Sequence, residues 1–312
     1  MLEIPFVSFL QDWLSASVRM TTRIALAAQG GLISERSEAF NIALEGSMLI
    51  GAFAATAVSH YTQSPLAGVL AAVLAGALVA LIHAAVSVSL GANQIVSGVA
   101  INLAALGLTT IFARMYLRPG LVARVPALSV VPIPPLSQIP LVGPVFFRQT
   151  GITYALYVVA PALAFLLFRT TWGLALRATG EYPKASETAG LNVTVIRYVC
   201  VTTSGMLAAL RGASLSVAQV KMFTEGMTAG RGFIALAAII LGRWNPLGTL
   251  AAAALFGAAD ALRLRVQVLN IGIPYRLIVA LPYVLALAAL VGFKGRSSAP
   301  AAIGVAYRRE EG

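Results

Sequence analysis

Charged side chains are scarce in this sequence. Only 11% of its 312 residues are Asp, Glu, Lys or Arg, while 59% are hydrophobic and the mean hydropathy is +0.86. A soluble globular domain is about one quarter charged, so this chain has too few charges to cover a water-facing surface. The composition excludes an ordinary soluble enzyme and a disordered protein. The net charge of +11 does not indicate a nucleic-acid partner either, because membrane proteins concentrate Lys and Arg on cytoplasmic loops.

Residues that bind metals, form disulfides or catalyse reactions are almost missing. Cys200 is the single cysteine, which excludes a disulfide within the chain and a metal site built from cysteines. The two histidines are His60 and His83, and the two aspartates are Asp12 and Asp260. The sequence also lacks the G-x-x-x-x-G-K-[ST] motif of nucleotide-binding loops and the H-E-x-x-H motif of zinc proteases. We therefore expect no catalytic residues, no metal site and no cofactor in this chain.

Long apolar runs are abundant and predict membrane-spanning helices. A bilayer core about 30 Å thick requires roughly 20 apolar residues of helix. The uncharged runs of this length are Pro65–Leu90, Gly91–Ala113, Gln149–Phe168 and Leu277–Phe293. Other runs are shorter or contain a charge: Ser17–Ile33, Asn41–Ser59, Tyr198–Val220, Gly232–Gly242 and Trp244–Ala259. The run ending at Gly242 reaches spanning length if its helix starts near Gly226. The sequence thus predicts an all-α, polytopic membrane bundle of about nine helices (about eight to ten), in one transmembrane domain over residues 1–312.

Basic residues predict which loops are cytoplasmic. The segment at about 169–197 and the C-terminal tail after Phe293 both carry several Lys and Arg residues. Positively charged loops stay on the cytoplasmic side, so both are expected there. The Pro-rich loop at about 116–150 then falls outside, although it contains arginines and no acidic residue. Its prolines predict extended structure rather than helix.

An internal repeat links the two halves of the chain. Pro246 lies 181 residues after Pro65, and in each copy Pro-Leu is followed by Ala-Ala, Leu and Gly-Ala at the same spacings. A Glu-Gly pair precedes each copy, at Glu45 and at Glu225. The predicted spans between the copies would invert the second relative to the first, an arrangement that recurs in transporters. The alternative is that two Ala- and Leu-rich helices resemble each other by composition alone.

Polar residues inside the apolar runs mark candidate binding positions, because polar groups at bilayer depth usually face a bundle interior or a cavity. Asn41 and Glu45 lie on one run. Glu45 could contact a substrate or bind backbone N–H groups, and we favour the structural role because it stands at a helix start. Asn93, Gln94 and Asn102 lie on another run, and helical spacing places Asn102 near the face of the other two. Bonds between helices and bonds to a substrate are equal alternatives there.

Two more polar residues interrupt predicted spans. His83 lies within an uncharged run, and its expected role is packing with a satisfied hydrogen bond. Arg211 interrupts another run, where it either extends toward the interface or pairs with an acid. Glu225 is a possible partner for Arg211.

Within the segment 169–197, a short helix is predicted between Pro183 and Gly190. Proline costs no hydrogen bond in the first turn of a helix, and glycine is a common stop. A helix of about two turns with small side chains suits docking of a partner protein. A solvated connector is the equal alternative.

Four stretches resemble one family of membrane transporters. The first runs from Arg177 to Ala185 and from Ala189 to Asn192. It is similar to the coupling loop of ABC importer permeases for ribose-type sugars, branched-chain amino acids and nucleosides. The others are Asn41–Phe53, Asn93–Leu103 and Glu225–Ala238, the last continuing over Gly242–Gly248. The resemblance extends from about residue 18 to the end of the chain. Gln94 and Arg211 depart from the family pattern, in which an acidic residue is common at the position of Gln94.

The resemblance implies a complex of two permeases, two ATPases and an extracytoplasmic substrate-binding lipoprotein, in a bacterial-type cytoplasmic (inner) membrane. The permeases are usually two different homologous chains, each an all-helical bundle with inverted halves, and here the C-terminus would be cytoplasmic. ATP and Mg would bind to the partner ATPase. That ATPase would grip the coupling-loop residues Gly180, Glu181, Pro183, Lys184, Ala185, Glu187, Ala189 and Gly190.

From this resemblance we predict a non-catalytic permease subunit that forms the pathway for a nucleoside or a related simple sugar. The residues expected along the pathway are Asn41, Glu45, Phe53, Asn93, Gln94 and Asn102, with the amides as hydrogen-bonding groups and Phe53 as a stacking face. The alternative is an ion- or proton-coupled secondary transporter of a small polar solute, in which Glu45 and Glu225 would carry the ion.

Overall fold

The computed structural model describes residues 6–117 and 125–269, together with positions 280, 284, 288, 299–301 and 303–304. Most of these residues are helical. The helices are α1 (Phe6–Arg36), α2 (Leu44–Thr62), α3 (Pro65–Ala84), α4 (Gln94–Tyr116), α5 (Val142–Phe146), α6 (Gly151–Arg169), α7 (Thr171–Glu181), α8 (Pro183–Thr188), α9 (Val193–Ala213), α10 (Arg231–Leu241) and α11 (Pro246–Leu269). A π-helical segment extends α3 over Ala85–Ser89, and another extends α9 over Ser214–Val220.

Among the described residues, 5 helices are long and apolar enough to cross a membrane, and they match predicted spans. They cover Pro65–Ser89, Gln94–Tyr116, Gly151–Arg169, Val193–Val220 and Pro246–Gln267. α1 contains the predicted span Ser17–Ile33, and α2 contains most of Asn41–Ser59. The chain is therefore an all-α, multi-pass membrane protein. Most of the predicted span Leu277–Phe293 lies outside the described residues, and the count of about nine helices stays a prediction.

Two helices start later than the sequence predicts. α10 begins at Arg231 rather than near Gly226, because Gly226 and Gly230 have positive φ angles of 62° and 75°, which a right-handed helix does not contain. With 11 residues, α10 is about 16 Å long, half the thickness of a bilayer core. α2 begins at Leu44 rather than at Asn41, and the residues before it enter the bundle without helical structure.

The helices that follow the two repeat prolines begin in the same way. Ser64 Oγ accepts a hydrogen bond from the first turn of α3, and Asn245 Oδ1 accepts two from the first turn of α11. Each cap is followed by a proline, Pro65 or Pro246, at the first helical position. Ser and Asn are favoured capping residues, and proline has no N–H to satisfy there. Local sequence therefore fixes both helix starts.

The central helices α1 and α9 pack against each other and run antiparallel. Gly30 of α1 lies beside Ser204 of α9, and Arg211 Nε donates to the Arg23 carbonyl oxygen (2.7 Å) one to two turns away. A residue nearer the end of α1 thus meets one nearer the start of α9. Glycine at the contact allows the backbones to approach closely.

α3 packs on α9, also antiparallel. Gly76 faces Ala209, and one turn further along α3, Ala80 faces Gly205. A side chain added at either glycine would overlap the opposite helix. α3 therefore points in the same direction as α1.

α11 packs on the other side of α1 and runs antiparallel to it. Gln29 Nε2 donates to the Pro246 carbonyl oxygen (2.7 Å) near one end, and Trp13 Nε1 donates to the Ala258 carbonyl oxygen (3.2 Å) further along. Because α3 is parallel to α1 and α11 is antiparallel to it, the two repeat helices point in opposite directions.

The bundle has two ends. The loop end comprises residues 36–38, 88–93, 170–197 and 242–246, which contact one another. The Pro-rich end comprises residues 61–65, 116–117, 125–150 and 220–225. α10 runs from the interior to the loop end, and α2 runs from the interior to the Pro-rich end.

The Pro-rich loop is only partly extended. β1 (Val130–Pro132) pairs antiparallel with β2 (Arg148–Thr150), with Val131 opposite Gln149. Between them lie a 3-10 turn and the short helix α5, so the expectation of a wholly non-helical loop is wrong. A proline in the first turns of a helix loses no hydrogen bond, which allows α5 to contain Pro144. The loop packs on the π segment of α9 through Leu128 N–H, which donates to the Val217 carbonyl oxygen (3.1 Å).

Candidate functional site

The N-termini of α2 and α10 meet inside the bundle. Glu45, in the first turn of α2, accepts hydrogen bonds from Gly230 N–H (Oε1, 2.8 Å) and Gly232 N–H (Oε2, 2.6 Å). The first N–H groups of a helix have no partner within the helix, and a carboxylate there also interacts favourably with the helix dipole. Glu45 thus caps α10 across the gap between the two helices, which is the backbone bonding that its structural role requires.

A cavity of about 360 Å³ lies where these two helices meet. It is lined by Glu45, Leu49, Val99, Asn102, Leu103, Leu106, Gly226, Thr228, Ala229, Gly230 and Phe233. The lining is mostly apolar with a few polar groups, and the volume falls in the range of small-molecule sites. On its outer side Leu103 and Phe233 are 65% and 51% exposed, so the cavity opens on the flank of the bundle.

Asn102 and Gln94 hold the non-helical segment before α2 against α4. Asn102 Nδ2 donates to the Ile42 carbonyl oxygen (3.0 Å), and its Oδ1 accepts from Gly46 N–H (2.7 Å). Gln94 Oε1 accepts from Phe40 N–H (2.5 Å). Eight residues of helix rise about 12 Å, so the start of α2 lies well inside the bundle rather than at its surface. Both amides bind backbone, and only Asn102 also borders the cavity.

Asn93 does not share this face, and that expectation is wrong. It is the N-cap of α4, where its Oδ1 accepts from Ile95 N–H (2.9 Å) and Val96 N–H (3.1 Å), and it is exposed at the loop end. Asn93 precedes the first residue of α4, so the helical spacing that positions Asn102 does not apply to it. Asn93 therefore lies away from the cavity.

Asn41 and Phe53 lie near the cavity without lining it. Asn41 is buried and its Nδ2 donates to Ser204 Oγ (2.9 Å) on α9. Phe53 belongs to an aromatic cluster, with its ring centroid 5.6 Å from that of Phe223 and 6.2 Å from that of Phe112. The cluster attaches the segment before α10 to α2.

Glu225 pairs with Arg114 and not with Arg211. Arg114 Nε lies 2.8 Å from Oε1 and Nη2 lies 3.1 Å from Oε2, which makes a two-pronged ion pair at the Pro-rich end. This pair lowers the pKa of the Glu225 carboxyl through the hydrogen bond from Arg114. Arg211 is fully buried and donates to the Arg23 carbonyl oxygen. His83 is buried and bonds Ser97 Oγ (3.0 Å), in agreement with a packing role.

The segment around α8 forms the predicted short helix. Pro183 occupies the first helical position, the helix ends at Thr188, and Gly190 follows with a φ of 87°. Lys184, Ala185 and Ala189 are exposed, whereas Ser186 is buried and anchors the helix. Two other predicted residues precede this helix: Gly180 is buried on the bundle, and Glu181 Oε2 accepts from Ala301 N–H (3.2 Å). Glu187, within the helix, borders a cleft.

That cleft, of about 800 Å³, separates α8 from the end of α3. Its walls are residues 88–91 on one side, and Glu187, residues 190–194 and Arg197 on the other. The exposed side of α8 and the cleft together form a surface at the loop end that another protein could contact.

Sequence reasoning missed most of the cavity wall. Thr228, Ala229 and Phe233 lie in the stretch Glu225–Ala238, which resembles the permease family but for which the sequence predicts no role in lining a pathway. The preceding Glu225-Gly226 pair was the available signal, since a glycine before an apolar run is typical of a turn. The partner of Glu225 had no such signal, because Arg114 is 111 residues away.

Comparison with known proteins shows the family of the chain. Residues 14–293 match a family described as "Branched-chain amino acid transport system / permease component". The chain belongs to this permease family. It is 39% identical over 311 residues to the guanosine ABC transporter permease protein NupQ of Bacillus subtilis (strain 168), covering 96% of this chain and 98% of the relative.

Two further relatives extend the comparison. The nucleoside ABC transporter permease protein NupC of Lactococcus lactis subsp. cremoris is 36% identical, with 96% of this chain and 98% of the relative covered. A putative glucose ABC transporter permease protein of Haloferax volcanii, TsgC13, is 36% identical, with 86% and 81% covered. All three are transport permeases, which fits a non-catalytic role for this chain.

Proposed function

We propose that this chain is the permease subunit of an ATP-driven ABC importer of nucleosides. The observation that carries the proposal is the 39% identity, over nearly the whole of both chains, to a permease named for guanosine. A second relative named for nucleosides supports the same substrate class. A related simple sugar is the second candidate substrate, favoured by the relative named for glucose.

The alternative of an ion-coupled secondary transporter is not favoured. Its candidate carriers are Glu45 and Glu225, because polar groups at membrane depth mark ion pathways. Glu45 is engaged by two backbone N–H groups, and Glu225 is engaged by the Arg114 guanidinium. A carboxylate committed to such bonds is poorly suited to bind and release an ion in each cycle.

The cavity between α2 and α10 is the proposed substrate pathway within this subunit. Helices that are interrupted at mid-membrane, with their N-termini at the site, recur in transporters. A nucleoside has an apolar base face and polar ribose hydroxyls, and the cavity offers apolar walls such as Leu103 and Phe233 with polar atoms of Thr228 and Asn102. Asn41, Phe53 and Gln94 then shape the surrounding walls, and Asn93 caps the start of α4 away from the cavity.

Two inverted halves are proposed for the chain. The support is a shared buried stripe: Ala72, Gly76 and Ala80 of α3 correspond, 181 residues on, to Ala253, Gly257 and Ala261 of α11, and all six are buried. α3 packs on α9 as α11 packs on α1, and the two repeat helices point in opposite directions. This arrangement favours inversion over chance similarity of composition.

The loop end and the open flank of the bundle indicate where partner proteins would bind. We assign the loop end to the cytoplasm, with the C-terminus on the same side, because both are basic. There α8 and its neighbouring residues would dock an ATPase that binds ATP and Mg. A second homologous permease would cover the flank on which the cavity opens, and an extracytoplasmic lipoprotein would deliver the substrate. The inner membrane of a bacterial cell is the proposed location.

Uptake measurements test this proposal. Cells that express the chain with its partner subunits should accumulate radiolabelled guanosine when ATP is present, even after the ion gradients are collapsed. Unlabelled glucose should reduce the accumulation of radiolabel only if a simple sugar is a substrate. Uptake that persists without ATP and disappears when the ion gradients are collapsed would replace the proposal with the secondary transporter.

A further inference from the structure

A buried polar cluster joins the end of α1 to the turn between α10 and α11, at the loop end. Trp244 Nε1 donates to Glu35 Oε2 (2.6 Å), and Arg36 Nε donates to the Trp244 carbonyl oxygen (2.7 Å). Glu35, Arg36 and Trp244 are 1%, 9% and 6% exposed. Buried groups that lose such partners carry a full desolvation cost, so these bonds resist separation.

An ion pair extends the cluster to α9. Glu38, just after α1, pairs with Arg197 in the first turns of α9, and both side chains are almost fully buried. Separating a buried ion pair leaves an uncompensated charge, which is more costly than losing a neutral hydrogen bond. Glu35, Arg36, Glu38, Arg197 and Trp244 together form what we call the junction.

The junction touches the proposed ATPase-docking segment. Gly180, at the end of α7, packs directly on the Arg36 carbonyl oxygen, where an added Cβ would overlap the backbone. α8 leads within a few residues into α9, which carries Arg197. A displacement of α7 and α8 would therefore move the junction at two points, at Arg36 through Gly180 and at Arg197 through the start of α9.

The other side of the junction leads to both walls of the cavity. From Glu38 the chain runs inward to Glu45 at the start of α2. From Trp244, α10 runs back about 16 Å to Gly230 and Gly232, whose N–H groups bind Glu45. Each cavity wall thus begins at the N-terminus of a helix, α2 or α10. The 39–43 segment connects the start of α2 to the junction, and α10 itself connects its own start to the junction.

We infer that the junction transmits the movement of the docked ATPase to the substrate cavity, so that its five residues are positioning residues for transport. The inference rests on the proposed function and adds to it the mechanical connection between the docking segment and the pathway. Packed side chains, hydrogen-bond and salt-bridge networks and rigid helices can carry coupling between distant sites, and the junction with α10 and the 39–43 segment combines all three.

The test compares two tryptophan substitutions in the complete complex, purified through this chain and reconstituted with radiolabelled guanosine. Trp244→Phe keeps an aromatic ring and removes the N–H that binds Glu35. Trp13→Phe is the matched control, because it also removes an indole N–H that binds an oxygen, at the opposite end of the bundle. We expect Trp244→Phe to retain the ATPase and its hydrolysis rate within about twofold, and to lower guanosine transported per ATP by about tenfold. Trp13→Phe should change that ratio by less than about twofold.

A second pair of variants keeps the inference testable if Trp244→Phe fails to assemble. Arg197→Gln should lower transport per ATP, and Arg197→Lys, which keeps the charge, should restore most of it. Unchanged transport per ATP in both Trp244→Phe and Arg197→Gln, with assembled complexes that hydrolyse ATP, would overturn the inference alone. A wild-type complex that contains no ATPase or imports no nucleoside would overturn the proposed function, and the inference with it.

Discussion

Removing the Glu45 carboxylate should destabilise the protein measurably. Glu45→Ala deletes the acceptor of two backbone bonds at 2.8 and 2.6 Å, and it leaves the N-terminus of α10 without a cap. A hydrogen bond to a charged group contributes about 1.5–3 kcal/mol, and a charge at a helix N-terminus about 0.3–1 kcal/mol more. Because Glu45 is only half-buried, we take the lower part of these ranges, which gives about 3 kcal/mol for Glu45→Ala. Glu45→Gln keeps one acceptor oxygen and should lose about half of this.

Thermal unfolding in mild detergent measures the effect. The entropy of unfolding is about 2.1 cal/mol/K per residue, so 1 kcal/mol shifts Tm by about 1.5 °C in a chain of 312 residues. Glu45→Ala should therefore lower Tm by about 5 °C and Glu45→Gln by about half as much. Glu225→Gln is the control, because it breaks an exposed ion pair, and such pairs contribute little. A Glu45→Ala protein that unfolds at the wild-type temperature would refute the capping role and, with it, the account of how the two cavity walls are joined.

Three further predictions concern the packing, the pathway and the junction. Gly76→Ala should destabilise the protein, because the added Cβ meets the backbone of α9, whereas Gly107→Ala, which has open space around it, should be neutral or slightly stabilising in a thermal melt. Asn102→Ala should lower nucleoside uptake by loosening the cavity wall, while Asn93→Ala should cost only about 1 kcal/mol for the helix cap and leave transport nearly unchanged; equal losses in both would contradict the placement of the site. Burial raises the pKa of the Glu38 carboxyl to about 7 despite the opposing effect of its arginine partner, so the folded protein holds this proton more tightly than the unfolded chain does. The stability of the wild type relative to Glu38→Gln should therefore fall as pH rises from about 4.5 to about 7, and a difference in Tm that rises over this range would contradict it.

Capping residues, prolines and glycines predicted the helices whose first or last residues are determined by their neighbours in the sequence. Pro65 and Pro246 stand at helix starts because a capping side chain precedes each of them. The short helix α8 begins at Pro183 and is followed by Gly190 for the same kind of local reason. Apolar length then determined which runs became long helices.

Contacts between distant residues could not be predicted in the same way. Trp244 and Glu35 are 209 positions apart, and their bond depends on how α11 packs on α1. The start of α10 depends on backbone angles in the turn before it, where Ala229 takes a positive φ of 50° that its residue type does not suggest. The cavity depends on this long-range packing and on the backbone conformation of this turn. For that reason only part of its lining was predicted.

The partner of the exposed helix α8 decides the central claim that this chain is the permease of an ATP-driven importer. The tagged chain should be isolated in several mild detergents and the proteins bound to it identified. We predict an ATPase with a nucleotide-binding loop together with a second hydrophobic permease. The ATPase should be lost when Pro183 and Glu187 are both changed to Ala, and retained when the exposed Gln63 at the opposite end is changed to Ala. Recovery of the chain alone, or only as a homodimer, in every detergent would contradict the account.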